Sequence, residues 1–249
     1  MYIVGNDSVG VIDTGTVECS NEMLDEVERL FKKPLRYAIL THNHADHANG
    51  LPVFLDMPVT LYCSHKCVAG FAARGPRALI TGVKGSLLLS LDGMDIELFT
   101  LEDVCHSPWD MFVRFKNDGL LASGDTVNDP GMLYFHHANP ERWSAGLREI
   151  ARGGDKLLLR GHGDIVPLAF AGEIADFLDL LMDVAAGIVR GEFPSGMLRD
   201  IAFEELDGHV RRYLASGTPQ AREIREKAGE RDAARVLRAA LRQQLFRRC

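Results

Sequence analysis

Thr41-His42-Asn43-His44-Ala45-Asp46-His47 follows directly on the apolar run Tyr37-Ala38-Ile39-Leu40. A buried strand is therefore expected to end in four potential ligands, His42, His44, Asp46 and His47, packed into six residues. Imidazole and carboxylate are the side chains that a borderline cation such as Zn²⁺ accepts. Residues two apart in an extended segment point the same way, so His42 and His44 can share one ion. After the chain turns, Asp46 and His47 can face a neighbouring ion. A solvated histidine-rich loop would have no reason to sit at the end of a buried strand, and the ligand reading is preferred on that ground.

Two complete sites need ligands from elsewhere, and three residues further along occupy equivalent positions. His106 lies in the turn Cys105-His106-Ser107-Pro108. Asp125 follows Leu120-Leu121-Ala122-Ser123-Gly124, and His162 follows Leu157-Leu158-Leu159-Arg160-Gly161. In each case a strand feeds a turn marked by Gly or Pro that can present a side chain at one edge of a sheet. Each is weak alone, because a lone His or a turn Asp is more often structural; together with the cluster they make a set of seven.

In order and spacing, the His42-x-His44-x-Asp46-His47 run, His106, the Ser123-Gly124-Asp125 turn and the Gly161-His162-Gly163 turn resemble the metallo-β-lactamase superfamily. Val11-Ile12-Asp13-Thr14-Gly15 resembles that family's first motif, and the likeness runs from about Tyr2 to Gly163. The resemblance implies an α/β fold, a four-layer αββα sandwich with an extra C-terminal helical segment. It implies that His42, His44 and His106 bind a first metal, that Asp46, His47 and His162 bind a second, and that Asp125 bridges them. Asp13 would support ligands without being one. The implied cofactor is a pair of divalent ions, zinc first, with iron or manganese as alternatives. The implied activity is a metal-dependent hydrolase in which a hydroxide bridging the ions attacks an ester, thioester, lactone or lactam carbonyl. Asp46 would then ligate and also handle the proton released, as the catalytic residue.

Departures from the family's branches narrow the substrate. The β-lactamases of the fold use Cys or no protein ligand where Asp125 stands. Hydroxyacylglutathione hydrolases usually carry His at the position of Asn43, and acyl-homoserine lactonases carry Tyr at that of Asn128. The nucleases add a domain or exosite with no counterpart here. Ser107-Pro108-Trp109-Asp110 departs from the usual Thr-Pro-Gly-His and weakly resembles flavodiiron proteins. The alternative is thus an iron-dependent oxidoreductase, persulfide dioxygenase-like or flavodiiron-like. Against the flavodiiron version, His44 replaces a Glu and no flavin domain follows. A metal-binding scaffold without turnover is disfavoured because all seven ligand positions are filled.

Outside the motifs, the chain reads as strands at Tyr2 to Val4, Val9 to Ile12, Arg36 to Leu40, Val59 to Tyr62, Ile96 to Thr100, Met111 to Phe115, Leu120 to Ala122 and Lys156 to Leu159. Helical spacing marks Glu22 to Phe31 after a cap at Ser20, Pro140 to Ala151, and Phe170 to Arg190. The chain opens on a strand almost at once, so an edge strand ahead of it is expected to be missing or supplied otherwise. Residues 1–190 are expected to form the catalytic domain and 191–249 a helical extension, packed on the same domain or at a homodimer contact. Within that extension, Pro219 to Cys249 holds nine Lys or Arg against four Asp or Glu. Ile224, Ala228, Leu237, Leu241 and Leu245 form the apolar stripe of an amphipathic helix or helix pair.

With 249 residues, 46% of them hydrophobic, the chain can bury a large core. Its net charge of −7 offers no basic field to a nucleic-acid backbone, so a small-molecule substrate is expected and nucleic acid is not. No segment is apolar for long enough to span a bilayer, and the start lacks the features of a secretory leader. Five irregularly placed cysteines suggest a reduced compartment, and a cytoplasmic protein without disulfides or a membrane partner is the expectation. Tyr134, His136 and His137 lie on a loop after Asp125 and are candidates for substrate contact. Cys63-Ser64-His65-Lys66-Cys67 lacks a second ligand pair and reads as a strand end entering a helix. Cys105 reads as an apolar neighbour of His106, and Trp109 and Trp143 as packing residues.

Overall fold

Short β-branched and leucine-rich runs, each closed by Gly, Asp or Asn, become strands when both faces can be covered. In the computed structural model, which describes residues 1–73, 77–101, 105–192 and 203–246, they form two mixed sheets. The first contains β1 (Tyr2–Val4), β2 (Val9–Ile12), β3 (Leu35–Ile39), β4 (Thr60–Ser64) and β5 (Leu79–Val83) in that order, parallel apart from the β1–β2 hairpin. The second contains β6 (Ser86–Leu91), β7 (Met94–Phe99), β8 (Phe112–Phe115), β9 (Leu120–Gly124), β10 (Leu157–Arg160) and β11 (Val166–Pro167). Its order is β11-β10-β9-β8-β7-β6, antiparallel except where β10 runs parallel to β9.

The chain falls into two compact units, Met1–Thr126 with Gly154–Pro167, and Val127–Gly153 with Leu168–Cys249. Both sheets belong to the first. Successive side chains of a strand point to opposite faces, and in β2 and β3 both faces are buried. Ile12, Tyr37 and Ile39 join Ile96, Leu98, Val113 and Ala122 of the second sheet in one core. Val11, Ala38 and Leu40 face the other way, onto Leu51, Phe54 and Leu55 of the short helical segment Leu51–Leu55. This is why Tyr37 to Leu40 is a continuous apolar run rather than an alternating one.

Three short helices separate strands of the first sheet after α1 (Val17–Glu26), namely α2 (Ala45–Ala48), α3 (Leu51–Leu55) and α4 (Val68–Ala72). The first helix starts earlier than Ser20. Thr16 is its cap, accepting from the Cys19 amide at 3.3 Å, while Ser20 is buried inside the helix and donates to Thr14 O at 2.6 Å. The expected stretch up to Phe31 is completed by a π-helical turn, Val27–Phe31. Ser64 ends β4, and the chain passes through a 3₁₀ turn into α4, as a strand end entering a helix.

The second unit is helical, with α5 (Pro140–Ala151), α6 (Phe170–Glu192), α7 (Phe203–Ala215), α8 (Pro219–Ala228) and α9 (Ala233–Phe246). Helix α6 packs against α5 and α9. Trp143 and Leu147 of α5, Ile174, Phe177, Leu178 and Leu181 of α6, and Leu237 and Leu241 of α9 are all fully buried. Arg148 ties α5 to α6 through Asp176 and Asp179 at 2.8 and 2.5 Å. The amphipathic C-terminal segment is a helix pair, and all five of its stripe residues, Ile224, Ala228, Leu237, Leu241 and Leu245, are buried. This division by compactness runs through residues 1–190, since α5 and α6 group with the later helices. Cys249 and residues 193–202 of the expected extension lie outside the described residues. Among the described residues no disulfide forms, and no helix is long and apolar enough to cross a membrane.

Candidate metal centre

The carboxyl ends of parallel strands leave backbone and side chains exposed at one sheet edge, where ligands can be presented. Past β3 the chain stays extended through His42 and His44, and His44 caps α2, whose single turn carries Asp46 and His47. The loop before β8 brings His106, the turn after β9 brings Asp125, and the turn after β10 brings His162. These seven side chains converge as two groups, His42 with His44 and His106, and Asp46 with His47, Asp125 and His162. Within each group one ligand atom per residue lies within 4.8 Å of the others. Asp125 also reaches across. Its Oδ1 is 3.2 Å from His47 Nε2, and its Oδ2 is 3.5 Å from His162 Nε2 and 4.0 Å from His42 Nε2.

Asp13 sets the orientation of a histidine in each group. Its carboxylate accepts from His47 Nδ1 at 2.8 Å, from the Thr41 amide at 2.7 Å and from the Thr41 hydroxyl at 2.8 Å. The hydroxyl has one proton and gives it to a carboxylate that can only accept. The Thr41 oxygen, 3.0 Å from His42 Nδ1, must therefore accept from that ring. Both histidines are held with a proton on Nδ1, so that of His42 points an unprotonated Nε2 into the cluster. This nitrogen is buried and has no hydrogen-bond partner. Asp13 itself adopts φ 61°, a left-handed backbone that Asp and Asn tolerate better than most residues.

Burial and the surrounding imidazoles, His47 foremost, hold His42 well below the ordinary histidine range. Burial also lowers His106, to about 3, against the pull of Asp125. Burial opposes protonation of His47 too, but hydrogen bonds and charge from Asp125 and Asp13 outweigh it and raise this ring to about 10. Asp125 is pushed up by its own burial, yet its bond to His47 leaves it below the usual carboxylate range. A buried imidazole lone pair without a partner, His106 Nε2 only 2.9 Å from His44 Nδ1, and two carboxylates make a mixed N/O donor set. That set fits divalent cations of the borderline class.

Two residues that sequence reasoning did not single out complete the architecture. Thr41 carries the link between Asp13 and His42, and Asp110 closes the His106 loop. The buried Asp110 carboxylate accepts from the Ser107 amide at 2.9 Å and the Ser107 hydroxyl at 2.6 Å, while Met111 N donates to Thr41 O at 2.8 Å. Burial pushes Asp110 up to about 7. The spacing Ser107-x-x-Asp110 is a signal for such a side-chain-closed turn. Asp13, His106 and all six other candidate ligands lie in the first unit. Tyr134, His136 and His137 lie in the second, exposed on the loop before α5, and contribute no atom to either ligand group. Cys105 and Trp143 are buried as packing residues, and Trp109 is partly buried against the outer core.

Replacing Asp13 by Asn keeps the left-handed backbone accessible and removes the charge that both Thr41 and His47 lean on. Metal affinity is expected to fall by about 10- to 100-fold, the range for losing such an outer partner. Competition against a chromophoric chelator measures it, and unchanged affinity would deny Asp13 the orienting role.

A family model described as the metallo-beta-lactamase superfamily matches residues 1–162. A comparison with curated proteins gives no match. Among solved structures, the metallo-beta-lactamase from Pontibacter korlensis aligns with a TM-score of 0.62 at 17% identity, over 72% of this chain and 85% of that one. One from Hirschia baltica aligns with a TM-score of 0.60 at 17% identity, over 71% and 84%. TMB-1 aligns with a TM-score of 0.62 at 20% identity, over 72% and 83%. At such identities these likenesses speak for the fold.

Proposed function

This chain belongs to the metallo-beta-lactamase superfamily, and on that premise we propose that it is a dinuclear metal-dependent hydrolase of a small ester, thioester, lactone or lactam. The observation that carries this reading is the pairing of two ligand groups through one carboxylate, Asp125, whose oxygens approach His42 on one side and His47 and His162 on the other. His42, His44 and His106, and Asp46, His47, Asp125 and His162, would hold divalent cations, which would supply a water of pKa about 7 and polarisation of a substrate carbonyl.

The chain's own residues divide the remaining work. Asp13 and Thr41 fix the imidazole orientations, so the ligand atoms are in place before substrate arrives. Asp46 is the carboxylate best placed to pass a proton to solvent, because its side chain is 54% exposed whereas that of Asp125 is 9% exposed. Its Oδ2 lies 2.9 Å from His162 Nε2, so accepting a proton and ligating are both within its reach.

The test is turnover of chromogenic lactam, lactone, thioester and phosphodiester substrates by zinc-loaded and chelator-stripped protein, with metal content by elemental analysis. Metal-dependent cleavage of one carbonyl class supports the reading. Iron as the dominant bound metal, without hydrolysis, would transfer the site to oxidoreductase chemistry. A stable protein that takes up no metal would remove the basis for both.

A further inference from the structure

The parallel strands β3, β4 and β5 end at the same sheet edge, and the metal-ligand cluster uses only the first of them. Beyond β4 come His65 and Lys66, and beyond β5 come Lys84 and Gly85. These residues border a cavity of about 410 Å³ whose lining includes Ser64, Lys66, Lys84, Thr100, Pro108 and Asp110. Pro108 and Asp110 belong to the loop that carries His106, so that loop forms part of the cavity wall.

The polar groups here suit a negative charge. Lys66 spends one proton on Pro108 O at 3.0 Å and keeps two. Neither Lys66 nor Lys84 has an ion-pair partner among the described residues. Thr100 Oγ1 accepts from the Gly85 amide at 3.1 Å, which leaves its own proton to donate. His65 Nδ1 donates to Val83 O at 3.2 Å and fastens the Lys66 turn to the last residue of β5, just before Lys84. Asp110, the carboxylate among the lining residues named, is turned onto Ser107 and so is already occupied. The cavity is several times the volume of a compact anion with its waters, at roughly 30 Å³ per water.

We propose that this cavity is an anion subsite, and that the substrate cleaved at the metal centre carries a carboxylate or phosphate that Lys66 and Lys84 hold. The substrate assignment rests on the hydrolase reading; the binding of an anion does not. The two lysines select and position substrate, and they touch no candidate metal ligand.

Titration calorimetry of the zinc-loaded full-length chain with succinate and with inorganic phosphate tests the binding, in the unaltered protein and in the double variant Lys66→Gln/Lys84→Gln. The dissociation constant of the better-bound anion is expected to rise at least about tenfold in the variant, with zinc content unchanged. Whichever anion binds more tightly names the group. No saturable binding of either, or equal affinity in both proteins, overturns the proposal. A second arm compares a succinyl with a butyryl thioester, together with the corresponding ester pair. The charged member should lose about tenfold in kcat/KM through KM in the variant, and the neutral member should not. Equal losses on both members overturn the selective role. Turnover of no substrate at all, with anion binding still lost in the variant, sinks the hydrolase reading and leaves the subsite standing.

Discussion

Asp125→Ala is expected to strip the protein of bound metal and of hydrolytic activity while leaving it folded. The effect should be large because this carboxylate approaches both ligand groups, within 4.0 Å of His42 Nε2 and 3.2 Å of His47 Nε2. With it gone, the all-imidazole group of His42, His44 and His106 loses the carboxylate that lies within 4.0 Å of His42 Nε2. The other group keeps a single carboxylate, the exposed Asp46. A fall in kcat/KM of at least about 10²- to 10³-fold is expected, the scale for losing one preorganised electrostatic element. Elemental analysis should show metal content well below that of the unaltered protein. The fold should survive, because the core between the two sheets is built from apolar residues such as Ile12, Ile39, Ile96, Leu98 and Val113, which the substitution leaves in place. Circular dichroism separates loss of site from loss of structure. Full metal content and activity in this variant would mean that Asp125 holds no metal.

The ligand run was readable because its chemistry is local. Four ligands within six residues, placed after an apolar strand, declare themselves without any tertiary information. The support for those ligands is not local. Thr41 and Asp13 are 28 positions apart, and only the parallel pairing of β2 with β3 brings them together. The same distinction separates the secondary structure that was legible from what was not. Pro140 to Ala151 carries its own cap, Asn139, and a strong apolar stripe, and forms the helix expected. Ser20 resembles a cap in sequence, yet tertiary burial recruits it to Thr14, and Thr16 caps instead. Strands β5 and β6 are largely exposed or half-buried, with Gly82 inside the first and Leu88 63% exposed in the second, so neither shows a buried run. Strand β11 is two residues long and contains Pro167, too little for any pattern. The C-terminal stripe was legible as helix, and its burial within the helical unit shows where it packs, which periodicity alone does not state.

Gly161→Ala should disable the centre from outside the ligand set. The glycine precedes His162, and its amide donates to Gly124 O at 3.0 Å, so the turn after β10 is pinned against the turn that carries Asp125. A Cβ at position 161 would stand 2.0 Å from Asp125 Oδ1, 2.9 Å from His47 Cε1 and 3.1 Å from the Gly124 carbonyl carbon. The last of these is backbone and cannot turn aside. Relief must come from Asp125, whose carboxylate would have to leave the one position from which it faces both ligand groups. Gly124 cannot easily yield either, since it holds φ 51° in a place where even a Cβ would stand 2.6 Å from Thr41 Oγ1. A displacement on the order of 1 Å at such a group can cost about 10²-fold in rate. The variant is therefore expected to lose about that much in kcat/KM, and to bind metal more weakly, with all seven ligands intact. Gly154→Ala, where an added Cβ meets nothing within 4 Å, is the matched control and should behave as the unaltered protein. If both variants retain metal and rate alike, Asp125 is free to move and the close packing around it has no part in holding the site.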